Sequence, residues 1–247
     1  MAPGISTLTY LLTYIRYRLI FTDGVLSYSM PQGDHLPPDI DLKDFTYDGH
    51  VINHYLSGGL GQLTDGVEGH SNFRFDPDGW GRKGYEWVGW RNDSVRVADD
   101  DGQSDSVVIL FQFEGARRFT AIRLHSNNMF TRDVRVFRRA VVRVGHSASD
   151  PVAGSSSDVD PVVYEHRRDK LIDFARNVVI TLPDLVGSFV SVQLFFDATW
   201  MLISEVRFES GAFCRGFSKH VATGGLGSAA PNLFFCPPTK KSNHRYV

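Results

Sequence analysis

The chain has 247 residues, 42% hydrophobic and 22% charged, with 26 Lys and Arg against 28 Asp and Glu for a formal net charge of -2. This is the composition of a globular protein with enough apolar mass for a core; it excludes a disordered chain and lacks the basic footprint of a nucleic-acid binder. The two cysteines, Cys214 and Cys236, are too few for a disulfide framework and wrongly spaced for a zinc site, though they could still pair with each other.

At the N-terminus, "LTYLLTYIRYRLIF" is interrupted by Arg16 and Arg18 and falls short of the roughly 18 apolar residues that suggest a membrane span. No basic residue precedes it and no clean small-residue cleavage site follows it, so it also reads poorly as a signal peptide. Residues 1–14 are taken as a lead-in. From there turn signals recur about every ten residues between short apolar runs rich in Val, Ile and Phe, the pattern of an all-β sandwich or barrel. The strongest strand is "VVILFQFE", with Val107, Ile109, Phe111 and Phe113 on one face and Gln112 and Glu114 on the other. "SFVSVQLFF" alternates in the same way through Val190, Val192, Leu194 and Phe196. Further strands are expected over residues 118–125, 134–144, 161–166, 177–182 and 200–208. The polar runs "ADDDGQSDS" (98–106) and "GHSASDPVAGSSSDVD" (145–160) read as surface connections, and residues 211–247 as a partly disordered tail.

Chemistry-bearing motifs mostly fail on context. "GLGSAA" (225–230) has the letters of a dinucleotide fingerprint but no strand before it and no helix after it. His50 and His54 lie four apart, a metal spacing only on a helix, and the turn signals around Val51 and Ile52 argue for a loop or strand. No nucleophile elbow, zinc-protease helix or phosphate-binding loop is present. A binding or structural module is therefore expected rather than an enzyme.

"GGLGQLTDGV" (58–67) is the run with the most to explain. A phosphate cradle needs a helix N-terminus, which the run does not offer. Asp65-Gly66 suits a tight turn, and Gln62 with Asp65 also supplies two oxygens of the kind calcium takes. On these residues alone turn and metal both stand.

The ordered set "DGVLSYSMPQGD" (23–34), "TYDGH" (46–50), "GGLGQLTDGV", "GYEWVGW" (84–90), "HSNNM" (125–129), "FRR" (137–139) and "WMLISEVRF" (200–208) resembles the second, discoidin-like module of the discoidin domain receptors. Those are collagen-binding receptor tyrosine kinases, and the resemblance covers residues 15–210. It implies a jelly-roll β-sandwich of the discoidin-like, galactose-binding-domain-like type with bound Ca2+. The family's calcium ligands would fall on Gln62, Asp65, Val67, Tyr85, Trp87, Ser204 and Glu205, with one more near Lys43. Val67, Trp87 and Lys43 could serve only through backbone carbonyls. The sequon at Asn92 lies where the family's module carries one and implies a glycosylated, extracellular chain.

The resemblance has gaps. The family's internal disulfide positions are occupied by about Arg135 and Val192. The preceding collagen-binding discoidin domain, the transmembrane helix and the kinase are missing from this sequence, so it reads as a receptor fragment or a diverged freestanding relative. The implied partners are collagen through the missing adjacent domain, a second receptor copy in a homodimer, and the membrane only through the missing span. The implied place is the outer face of the plasma membrane, or the extracellular medium if the chain is freestanding. The rival reading is a lectin-like or phospholipid-binding module, for which Phe73, Phe75 and Trp80 are the expected exposed loop tips. A glycoside hydrolase is a third reading, requiring two carboxylates at a defined separation.

Overall fold

Alternation of apolar and polar side chains drives the backbone into strands wherever one face can be buried. The computed structural model describes residues 24–76, 79, 81–94, 105–149 and 160–212. In chain order the strands are β1 (Val25–Pro31), β2 (His35–Leu36), β3 (Ile40–Asp41), β4 (His50–Ile52), β5 (Tyr55–Gly59), β6 (Val88–Arg91), β7 (Ser106–Ser126), β8 (Arg139–Gly145), β9 (Val162–Glu165), β10 (Arg176–Phe195) and β11 (Trp200–Ala212). Two 3-10 turns, Gln62–Thr64 and Phe130–Arg132, are the helical elements among the described residues. None of its helices is long and apolar enough to cross a membrane.

The architecture is a jelly-roll β-sandwich, and β7 and β10 belong to both of its layers. Residues 106–113 of β7 lie between β1 and the second half of β10, giving a layer ordered β4-β5-β1-β7-β10-β8-β9. Residues 117–126 lie between the first half of β10 and β11, which in turn pairs with β6. The β7 and β10 ladder slips register between Thr181 and Leu185 and again between Gly187 and Phe189. Slips of this kind bend paired strands and increase their twist, so the two strands fold over from one layer into the other. The expected strands at 107–114 and 118–125 are thus halves of β7, and those at 177–182 and 188–196 are halves of β10.

The predicted inward faces are buried. Val107, Ile109 and Phe111 of β7 and Val190, Val192 and Leu194 of β10 are sealed from solvent. Between the layers Phe111, Phe113 and Phe119 meet Phe208 of β11, with ring centroids 4.9 Å apart for Phe111 and Phe208 and 4.8 Å for Phe113 and Phe119. Their edge-to-face geometry adds to the gain from burying large rings. A second, smaller cluster of Ile40, Leu42, Phe73, Trp87, Val134, Trp200 and Leu202 forms the floor beneath one set of loops.

Residues outside the description include 1–23 and 213–247, so the lead-in, Cys214, Cys236 and nearly all of the expected tail lie beyond it; Gly211 and Ala212 close β11. Phe111 is fully buried between Tyr28 and Phe208. Phe111→Ala is expected to destabilise the fold by about 3–5 kcal/mol in denaturant unfolding, through lost transfer energy and the cavity left behind.

Candidate metal centre

The loop after β5 is laced to distant parts of the chain. It begins at Gly61, where an added Cβ would lie 2.4 and 2.6 Å from the two carboxylate oxygens of Asp44. Only glycine leaves room for that buried carboxylate, whose Oδ1 accepts the Gln62 N–H at 3.1 Å and whose Oδ2 accepts the Tyr28 hydroxyl. The 3-10 turn Gln62–Thr64 follows. Gln62 is buried, with Oε1 accepting the Phe45 N–H at 2.7 Å and Nε2 against the Tyr85 carbonyl. Asp65 closes the turn and its Oδ1 accepts the Val67 N–H at 2.8 Å.

The loop then lies on β11. The Gly66 N–H donates to Glu205 Oε2 at 3.0 Å, and the Gly69 N–H donates to Ser204 Oγ at 3.0 Å. Arg207 returns the contact by donating to the Gly66 carbonyl at 3.1 Å and pairing with Glu68 at 3.2 Å. β11 slips register between Ile203 and Glu205, a bulge of the kind that re-aims side chains. Ser204 Oγ meets His125 Nδ1 at 2.7 Å, and the His125 ring stacks on Trp87 with centroids 5.3 Å apart. The Trp87 indole N–H donates to the His70 carbonyl at 3.2 Å. An added Cβ on Gly69 would stand 2.5 Å from that indole, so the loop reaches β11 only because glycine lets it pass the tryptophan.

Glu205 is the electrostatic centre of this arrangement. It is 1% exposed, and its Oε1 has no hydrogen-bond partner. Arg207 Nε stands 3.5 Å from that oxygen, an ion-pair separation without a hydrogen bond. Burial first, and the Asp65 charge second, push the Glu205 carboxyl up to about 8. Burial likewise raises Asp65 to about 6, opposed by the Val67 N–H and reinforced by the Asp44 charge. Asp44 is itself raised by burial, against the hydrogen bonds it accepts. Burial also lowers the pKa of His125, which favours the neutral ring. Three carboxyl groups thus share a neighbourhood that disfavours their charged forms.

Among the described residues no group of three or more His, Cys, Asp or Glu side chains is placed to hold a metal ion. An ion here would have to draw on amide and carbonyl oxygens as well as carboxylates, which is the habit of a hard cation such as calcium. The oxygens that surround the turn are of that mixed kind.

The structure brings most of the expected residues together. Gln62 touches the Tyr85 backbone, Asp65 touches Val67, and Glu205 with Ser204 holds the loop that Asp65 begins. Trp87 contributes its ring to the smaller core. The Lys43 ammonium points to Asp41 at 3.1 Å, while its neighbour Asp44 makes the contacts to the turn. Asp44 and Glu68 were not singled out in the sequence, and His125 entered only as the first residue of "HSNNM"; for Asp44 the available signal was an acidic residue set between the apolar Leu42 and Phe45. Asn92 is exposed, its N–H donating to the Thr199 carbonyl at 2.9 Å, and Ser94 of the sequon bonds the Arg91 carbonyl at 2.9 Å. Of the three expected loop tips, Phe73 is buried, Phe75 is 50% exposed and Trp80 lies outside the described residues.

Residues 24–210 match the family model described as discoidin domain-containing receptor 1/2, DS-like domain. Epithelial discoidin domain-containing receptor 1 of Homo sapiens is 33% identical over 205 residues, which are 78% of this chain and 20% of that protein. Discoidin domain-containing receptor tyrosine kinase B of Caenorhabditis elegans is 30% identical over 193 residues, 77% of this chain and 21% of that protein. The chain therefore spans about a fifth of the length of these curated relatives. Among solved structures, CpGH89CBM32-5 from Clostridium perfringens in complex with GalNAc-beta-1,3-galactose is similar with a TM-score of 0.40 and 7% identity, over 76% of this chain and 96% of that one.

The raised Glu205 pKa has a measurable consequence in chelator. With a folded value near 8 against an ordinary 4.5, the folded state holds a proton that the unfolded state has lost. Stability from this group is therefore full below about pH 4.5 and falls as pH rises through about 8. Melting temperature in chelator is expected to decline across that window, and Glu205→Gln is expected to flatten the decline.

Proposed function

The chain belongs to the discoidin domain receptor 1/2 DS-like family, and from that membership we propose that it is a non-catalytic, calcium-stabilised extracellular module of a discoidin-type collagen receptor. Its task in this reading is to give a rigid support to a collagen-dependent signalling receptor. Collagen contact falls to an adjacent domain, and receptor homodimers set the context in which the module works.

The observation that carries the calcium reading is Glu205 Oε1, a buried carboxylate oxygen without a hydrogen bond, close enough to Asp65 for that charge to raise the cost of ionising it. The residues fit a hard cation. Asp65 and Glu205 would supply the charge, Gln62 its amide oxygen, and Tyr85, Val67 and Trp87 their carbonyls, with Ser204 and the backbone near Lys43 completing the set. When bound, the ion would offset the repulsion that burial imposes on the two carboxylates. The chain's own part is to deliver those oxygens from β11 and from the turn after β5, and Gly66, Gly69 and Arg207 already fasten the turn there.

Two measurements test this reading. Calcium added to the wild-type chain is expected to raise its melting temperature, by about 2.7 kcal/mol of stabilisation at a hundred times the dissociation constant. Asp65→Ala should lose that rise, and a wild-type melting temperature indifferent to calcium would remove the metal from the account. For the extracellular placement, expression through the secretory pathway is expected to attach a glycan at the exposed Asn92. A peptide N-glycosidase should then shift the wild-type band on a gel and leave Asn92→Gln unchanged; a wild-type band without a shift would contradict the assignment.

A further inference from the structure

The connection between β9 and β10, residues 166–175, presents its apolar side chains outward. Leu171 is 92% exposed, Phe174 63% and Ile172 51%. Such exposure on three neighbours in sequence is unusual, because contiguous exposed apolar surface marks contact sites.

The loop is braced rather than loose. Asp169 Oδ1 accepts the N–H groups of Leu171 at 2.7 Å and Ile172 at 3.2 Å, while its Oδ2 pairs with Arg176 at 2.7 Å. The Ile172 carbonyl accepts from Arg176 at 2.8 Å and from Asn128 Nδ2 at 2.9 Å. Thr131 donates to Asp173 at 2.8 Å, and Arg168 grips Asp197 through both carboxylate oxygens. Ala175 packs on the smaller core. These bonds, made from beneath, hold the backbone in place although Asp173 Oδ1 and Arg176 Nε lack a hydrogen-bond partner, and the apolar side chains are left as a protruding tip. A second loop belongs to the same end. Asn127, the neighbour of Asn128, donates to the Ser71 carbonyl at 3.1 Å, and that loop carries the half-exposed Phe75.

Charge selects the occupant. Asp169, Asp173 and Asp197 are engaged in the internal bonds above, which leaves the exposed Asp133, beside Arg132, as the acidic group set against the cations of this end. Lys170, Arg167 and Arg132 are exposed and face no described carboxylate within ion-pair distance. The outward chemistry is therefore apolar at the tip and cationic around it, which suits the boundary between acyl chains and phosphates in a bilayer.

We propose that this end of the sandwich docks on an anionic lipid bilayer, with Leu171, Ile172 and Phe174 entering the interface and Lys170, Arg167 and Arg132 meeting lipid phosphates. The membrane would then be a direct contact of the module, independent of any spanning segment and of the calcium reading.

Vesicle flotation of the full 247-residue chain in chelator tests the proposal. The wild type is expected to float with phosphatidylcholine vesicles containing phosphatidylserine, more weakly with phosphatidylcholine alone, and less as salt is raised. Leu171→Ser with Phe174→Ser should lower partitioning about tenfold or more at unchanged melting temperature, as two buried apolar side chains are lost. Lys170→Glu should weaken binding to the anionic vesicles alone. A wild type that stays in solution would overturn the proposal. So would a double variant that floats as well as the wild type, since binding would then come from elsewhere in the chain, or one that loses self-association instead of lipid binding.

Discussion

A carboxylate with nowhere to put its charge organises this molecule. Glu205 sits on the last strand, shut away from water, and one of its oxygens holds the amide of Gly66 from 139 residues earlier in the chain. Burying a charged group is expensive unless partners surround it, and here the Gly66 N–H and Arg207 at 3.5 Å offset only part of the cost that burial and the Asp65 charge impose. The site is therefore strained electrostatically without being loose, because Ser204, Arg207 and Asp44 hold the same loop through neutral or well-paired contacts. A proton can relieve the strain, and so, in the reading proposed here, can a cation.

The fold makes this juxtaposition possible by the way its two longest strands are shared. Because β7 and β10 run through both layers, the aromatic cluster around Phe113 and Phe208 locks β11 against β7. The bulge at Ser204 then turns polar side chains of β11 toward the loop that follows β5. Glycines at 61 and 69 let that loop pass a carboxylate and an indole at distances no other residue would allow. Core packing, the bulge and the close approaches thus act in series to bring the loop after β5 onto the side chains of β11.

Much of the layer structure was legible because it obeys period-two alternation: the inward residues of β7 and β10 read directly as one face. The expected strands stop short of Gly115, Pro183 and Gly187, yet the chain stays extended through them, since they lie where the strands change layer and the tertiary pairing continues on either side. β1 escaped notice because Ser27 and Ser29 dilute its apolar pattern, although Tyr28 and Met30 are sealed in the core. At the site, Gln62 and Asp65 stood out by residue type, whereas the link from their loop to Glu205 came only from resemblance. Asp44 was hidden because its partners, Tyr28 and Gln62, lie 16 and 18 residues away and are joined only by the fold. The exposed Leu171 was equally hidden, since an apolar residue in sequence gives no sign of which way it faces.

The account stands on the loop being fastened to β11 by Glu205, with a cation completing the fastening. Hydrogen exchange at the Gly66 and Gly69 amides reads this most directly. Both donate to β11 side chains, so both should exchange far more slowly than an open loop, and more slowly again when calcium replaces chelator. Exchange of these two amides at the rate of unprotected loop residues, or at a rate calcium leaves unchanged, would contradict it.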